Sequence, residues 1–186
     1  GKPFHPLSQH YRERFNAKVY KVSVSVAQTC PNREGKNGMN TCSFCDEWGS
    51  ASFYNNQGEN LEKQIKFNRE VLKKRYHADL FLIYFQAYTN TFGRLQKLNH
   101  WIESDLSHED VVGIVIGTRP DCLPKRVLEL FAKFAKETYL SIELGIQSLC
   151  NLQLQFLSRG HDAETSIIAI KKLKQIENLN VCAHLI

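Results

Sequence analysis

The feature that most constrains this chain is a cysteine-bearing loop, C-P-N-R-E-G-K-N-G-M-N-T-C-S-F-C, running from Cys30 to Cys45. Its three cysteines are spaced C-x11-C-x2-C and follow directly on the alternating run from Val19 to Val26. Cys42 and Cys45 form a tight pair, and a turn-rich excursion holding Gly35 and Gly38 brings Cys30 back to them. Such a loop can place three thiolates around one point. Zinc sites and iron–sulfur clusters are normally closed by four protein groups, yet no fourth cysteine or histidine lies close by in sequence. Two readings follow: a zinc ion that draws a distant fourth ligand from the seven histidines, or a cluster that leaves one iron open to a small molecule.

Composition narrows the setting. The chain has 186 residues, one domain's worth, with a net charge of +5 and 23% charged residues, compatible with an anionic substrate or RNA as partner. No apolar run approaches the ~18 residues needed to span a bilayer, and Gly1 to Pro6 shows no signal-peptide region. The expectation is a soluble, cytoplasmic protein with no membrane partner. Six cysteines in a small secreted chain would suggest disulfides; three grouped in one loop favour metal binding in a reducing compartment. Cys122, Cys150 and Cys182 are scattered and are expected to be small buried hydrophobes.

Periodicity orders the rest. Residues 1–16 suggest a short helix packed through Tyr11, Arg12 and Phe15, and Val19 to Val26 alternates as a first strand. The cysteine loop is expected to continue through Trp48, Gly49, Ser50 and Ala51. Glu59 to Arg75 carries a helical stripe of Leu61, Ile65, Val71 and Leu72, and Asp79 to Phe85 is a continuous apolar run, as in a buried parallel strand. Phe92 to Ser104 predicts a helix, Val111 to Ile116 a strand, and Pro124 opens a helix with Val127, Leu128, Phe131 and Phe134 on its apolar face. Tyr139 to Leu144 predicts the fourth strand, Asp162 caps a helix through Leu173 and Ile176, and Asn180 to Ile186 makes a fifth strand. Four β-α repeats and a fifth strand mean an α/β fold with a parallel sheet and right-handed crossovers, a partial TIM-like (β/α) barrel truncated after its fifth strand. A full barrel takes roughly 250 residues, so residues 1–186 are expected to be the N-terminal part of such a domain in a longer protein. Its cut sheet edge would offer a route to self-association.

In such barrels function gathers at the C-terminal ends of the strands. There the sequence delivers the three cysteines, then Gln86 to Thr91, then Gly117 to Asp121, then Gly145 to Ser148, and finally His184. Glu143 lies inside an apolar strand and needs a partner; Arg119 or Arg159 is the expected one.

The ordered set C-P-N-R-x-G, C-x-F-C, F-Q-A-Y-T-N-T, G-T-R-P-D, E-L-G-I-Q-S and R-G-H-D resembles the radical S-adenosylmethionine superfamily. It is similar to an uncharacterised bacterial Fe–S oxidoreductase branch related to the radical domain of the Elongator catalytic subunit and to oxygen-independent coproporphyrinogen oxidase. The resemblance covers about Tyr11 to Ile186. The wide cysteine spacing departs from the superfamily's usual C-x3-C-x2-C, and the branch shares the wide form. The resemblance implies an enzyme in which Cys30, Cys42 and Cys45 ligate a [4Fe–4S] cluster whose fourth iron is chelated by S-adenosylmethionine. One electron, from a ferredoxin- or flavodoxin-type reductant, then cleaves the cofactor to methionine and a 5′-deoxyadenosyl radical. The implied cofactor contacts are Phe44 beside the cluster and adenine, Gln86, Tyr88 and Asn90 in place of the superfamily's glycine-rich segment, and Thr118 after strand three. They continue with Gln147, Ser148 and His184 near the ribose, and Arg159 on the cofactor carboxylate, where its fork suits the group. The contrasting reading is a zinc-binding, non-catalytic module that interacts with nucleic acid.

Overall fold

The computed structural model describes residues 3–27, 29–36, 41–46, 60–93 and 95–186. The expectations placed on Gly38, on Trp48, Gly49, Ser50 and Ala51, and on Glu59 lie outside the described residues. The elements run α1 (Leu7–Phe15), β1 (Val19–Val24), α2 (Leu61–Tyr76), β2 (Leu80–Phe85), α3 (Leu95–Asp105), β3 (Val111–Thr118) and a 3₁₀ turn (Pro120–Cys122). They continue α4 (Lys125–Glu137), β4 (Tyr139–Gln147), α5 (Asn151–Phe156), α6 (Ala163–Lys174) and β5 (Leu179–Leu185). All five strands pair in parallel in the order β1-β2-β3-β4-β5. The sheet is an open part of a (β/α) barrel.

The boundaries have local causes. Asn60 caps α2 by accepting a hydrogen bond from the Glu62 N–H, and Asp162 caps α6 through the Thr165 N–H, each satisfying a donor the first turn leaves open. Pro124 stands at the N-cap of α4 rather than inside its first turn. β4 continues three residues past Leu144 because Gly145 and Gln147 still pair with β5. α5 and the 3₁₀ turn were not expected from periodicity.

Alternation sorts the strand residues onto two faces. Val22, Val24, Phe81, Ile83, Phe85, Ile114, Ile116, Leu140, Ile142 and Leu144 face the helices and form the main core with Ile65, Leu98, Ile102, Phe131 and Phe134. The other face carries Lys21, Leu82, Tyr84, Val115, Tyr139, Glu143, Cys182 and His184. Its lower end is filled by Tyr11 from α1, packed with Val19, Leu82, Val115 and Tyr139 and flanked by Phe15; Arg12 is exposed instead. Gly113 lets β3 and β4 close up here, since a Cβ would stand 2.3 Å from the Tyr139 carbonyl.

The upper end of this face is polar, and it measures the curl of the sheet. Lys21 on β1 pairs with Glu143 on β4, with two strands between them. Strands are spaced about 4.8 Å apart, so a flat sheet would hold the two backbones roughly 14 Å from each other, too far for this contact. The face is therefore concave. Among the described residues no helix is long and apolar enough to cross a membrane.

Candidate functional site

The strand ends and the described loop residues Cys30, Thr41, Cys42, Phe44 and Cys45 line a cavity at the top of the concave face. Cys30, Cys42 and Cys45 line it, together with Phe44, Gln86, Tyr88, Thr118, Arg119, Gln147, Arg159, Glu143 and His184. All three cysteines are free, Cys42 buried and the other two partly so. The fold thus brings the loop thiols to one cavity with seven of the nine other expected site residues; Asn90 and Ser148 are the exceptions.

The loop is held in place by groups that also touch its sulfurs. The side-chain amide of Asn32, 3% exposed, donates to Cys42 Sγ at 3.2 Å and to the carbonyls of Ser158 and Arg159 at 2.9 and 3.3 Å. Arg159 adds an Nη1 contact to the same sulfur at 3.5 Å. Arg33 reaches Cys45 Sγ at 3.6 Å, donates to the Asp46 carbonyl and lies over the Tyr88 ring. The Ser43 N–H closes the loop onto the Leu157 carbonyl at 3.1 Å. N–H donors aimed at sulfur suit a sulfur that carries negative charge. These partners of the thiols were missed in the sequence, where the only signal is the N-R that follows C-P.

Arg159 is a buried residue rather than a surface one. Its Nη2 donates to the Gly145 carbonyl at 2.6 Å, its guanidinium lies 5.7 Å from the Phe44 ring centre, and its Nε has no acceptor. Burial, followed by the neighbouring Arg119 charge, lowers its pKa. The absence of a side chain at Gly145 makes room for this guanidinium, since a Cβ would fall 2.7 Å from Arg159 Nη2. Arg119 grips Asp121 with two bonds of 2.8 Å and the Arg159 carbonyl with a third, which leaves its Nη1 without an acceptor. The Arg119–Asp121 pair therefore ties the β3 loop to the segment after α5.

The remaining expected contacts divide. Gln86, Tyr88 and Gln147 line the cavity, the last two with φ of +60° and +70° that turn the chain at the rim. The Thr118 hydroxyl is bonded to Thr91 at 2.6 Å, and Thr91 in turn to the Cys122 carbonyl. Asn90 spends its amide on the carbonyls of Phe85, Ala87 and Gly117 and serves to brace the β2 loop. Ser148 accepts from the Cys150 N–H and bonds Gln153, so it starts α5. Phe44 is 39% exposed at the cavity mouth.

Glu143 does not pair with Arg119 or Arg159. Its partners are Lys21, His184 at 3.0 Å, and Tyr84. Burial alone would raise its pKa, but hydrogen bonds from His184, Lys21 and Tyr84 outweigh it and hold the carboxyl at about 2. The expected partners are instead committed to Asp121 and to the Gly145 carbonyl. Of the scattered cysteines only Cys122 is buried, where loss of water pushes its thiol up to about 12; Cys150 and Cys182 are exposed, because α5 and the concave side of β5 leave them uncovered.

No protein-family model matches the chain. It is 36% identical over 185 residues to the uncharacterized protein YtqA of Bacillus subtilis, aligning all of this chain with 57% of that protein. It is 37% identical over 189 residues to the uncharacterized protein MJ0486 of Methanocaldococcus jannaschii, again 57% of that protein, and 34% identical to YhcC of Escherichia coli, over 93% of this chain and 55% of that one. The chain thus spans little more than half the length of these relatives. Among solved structures it superposes on archaeal Methanocaldococcus infernus Elp3 with TM-score 0.60 and 20% identity, covering 91% of this chain and 38% of that one. It superposes on OxsB, a cobalamin-dependent S-adenosylmethionine radical enzyme, with TM-score 0.58 and 17% identity, covering 88% of this chain and 23% of that one. At these identities the likeness is one of fold.

Proposed function

We propose that the chain is the cofactor-binding part of a radical S-adenosylmethionine enzyme, with Cys30, Cys42 and Cys45 as ligands of a [4Fe–4S] cluster. The observation that carries this reading is that three free thiols of one loop line a single cavity at the C-terminal ends of parallel strands. When bound, the cluster and cofactor supply one-electron reductive cleavage to methionine and a 5′-deoxyadenosyl radical.

The residues present fit these groups. Arg119 Nη1 and Arg159 Nε, in two residues that line the cavity, are buried without acceptors. A buried donor left unpaired costs about 1–3 kcal/mol, and an anionic group in the cavity would relieve that cost. Asn32, Arg33 and Arg159 orient the sulfurs. Gln86 and Gln147 offer an amide on either side, able both to donate and to accept. Phe44 and Tyr88 wall the mouth against water.

The zinc reading is less well supported. A structural zinc ion is normally closed by a fourth protein ligand beside three cysteines, whereas a cluster can leave its fourth iron to a small molecule. The reading is tested by anaerobic reconstitution with iron and sulfide, followed by electron paramagnetic resonance of the reduced protein. A [4Fe–4S]⁺ signal that changes on adding S-adenosylmethionine and is lost in Cys42→Ala is the expected result. Failure of the full-length protein to take up iron would sink it.

A further inference from the structure

We propose that Glu143, Cys182 and His184 form a separate mononuclear site for a zinc-class divalent cation on the concave face of the sheet. Among the described residues they are the one set of three metal-ligating side chains whose donor atoms all lie within 4.8 Å of one another. The arrangement follows from strand register. Glu143 is the direct partner of Cys182 across β4 and β5, and Gly145 that of His184; a period of two then turns Cys182 and His184 to the same face as Glu143. Three donors on two paired strands form a more rigid frame than three on a loop.

The donors suit zinc. They are one carboxylate, one thiolate and one imidazole, a mixture that selects borderline-soft metals over magnesium or calcium. Bonds of 2.0–2.3 Å in a tetrahedron separate ligand atoms by roughly 3.3–3.8 Å, so the set needs only small side-chain shifts to close. His184 Nε2 and Glu143 Oε2 already stand 3.0 Å apart. Lys21 bonds the other oxygen, Oε1, and helps fix the carboxylate plane, while Oε2 faces the His184 ring nitrogen that a metal would share with it. Such outer partners orient ligands in metal sites generally. Binding would displace the proton of the Cys182 thiol to solvent and require His184 Nε2 unprotonated. With the carboxylate and thiolate both negative, a divalent ion neutralises its ligands, and the Lys21 ammonium on Glu143 leaves the group with one positive charge. Three protein ligands leave a fourth position open, and two of the three, Glu143 and His184, line the cavity. A water or an oxygen or nitrogen donor of a bound molecule could occupy it.

This site does not depend on the cluster reading, and its test is built to separate the two. The full-length protein carrying Cys30→Ser, Cys42→Ser and Cys45→Ser is titrated with cobalt(II) in the absence of oxygen. One equivalent should bind, with a sulfur-to-cobalt charge-transfer band in the near ultraviolet that added zinc discharges. Cys182→Ser in that background should abolish the band, and His184→Ala should weaken binding at least tenfold. A protein that takes up no cobalt, or whose sulfur band survives Cys182→Ser, overturns the assignment. Should the triple variant fail to fold, zinc is counted in the protein with its loop intact and reconstituted. One zinc per chain, lost on Cys182→Ser, supports the site, and equal zinc in both proteins overturns it.

Discussion

Asn32 donates its side-chain amide to the sulfur of Cys42 at 3.2 Å and with the same nitrogen holds the carbonyls of Ser158 and Arg159. One side chain thus joins the cysteine loop to the segment after α5, 126 residues later in the chain.

Replacing Asn32 by leucine keeps the bulk and removes all three bonds. A hydrogen bond to a ligating sulfur stabilises the more negative, reduced state of a cluster. At about 1 kcal/mol for such a bond, and 59 mV per decade for one electron, the reduction potential of the proposed cluster should fall by roughly 40 mV. A redox titration followed by electron paramagnetic resonance checks this. An unchanged potential in a variant that still loads its cluster would show that the amide serves only to fix the loop.

Gly145→Ala places a methyl group 2.7 Å from Arg159 Nη2. The fold should tolerate the change within about 1 kcal/mol, because a side-chain end can move where backbone cannot. On the proposed reading, affinity for S-adenosylmethionine should fall at least tenfold as the guanidinium is displaced. Isothermal titration of the loaded protein, set beside its thermal midpoint, separates the two effects; equal losses in both would count against a binding role for Arg159.

Gly113→Ala acts through stability alone. Here the new methyl would meet backbone, 2.3 Å from the Tyr139 carbonyl, and β3 and β4 are locked in register at that pair. A loss of about 1–3 kcal/mol or more is expected, read from the denaturant midpoint, with affinity for S-adenosylmethionine in the surviving folded fraction unaltered.

Asp105 is 2% exposed and its Oδ2 has no hydrogen-bond partner. Burial raises its pKa from 3.8 to about 7, so the folded chain keeps a proton that the unfolded chain releases. Stability from this group therefore falls as pH rises from about 4 to about 7 and is lowest above that range. Asp105→Asn should leave stability at pH 4 nearly unchanged and raise it at pH 8 by about 1–3 kcal/mol. Denaturation curves at the two pH values decide; parallel shifts at both would mean that the carboxyl is not the cause.

The strands were legible because β-branched and aromatic residues either alternate, as in Val19 to Val24, or run unbroken, as in Leu80 to Phe85. α5 was not. Its sequence N-L-Q-L-Q-F alternates with a period of two, the pattern of a half-buried strand, yet it forms a helix of six residues with Leu152 and Phe156 exposed. The cysteines could be found from spacing, since their chemistry is a property of residue type. The partners of Glu143 could not. Lys21 is 122 residues away and reaches it only because the sheet curls across two strands, a property of packed layers that no local window contains. The same holds for Asn32, whose partners become neighbours only after the loop folds back.

The strand order has a consequence for how the molecule assembles. Each of these five strands pairs with its neighbours in the chain, so this part of the sheet can grow one β-α unit at a time in the order of synthesis. The Lys21–Glu143 tie spans the first four strands, and it can close only when β4 is in place. A probe of that contact should therefore report after probes of β1–β2 pairing.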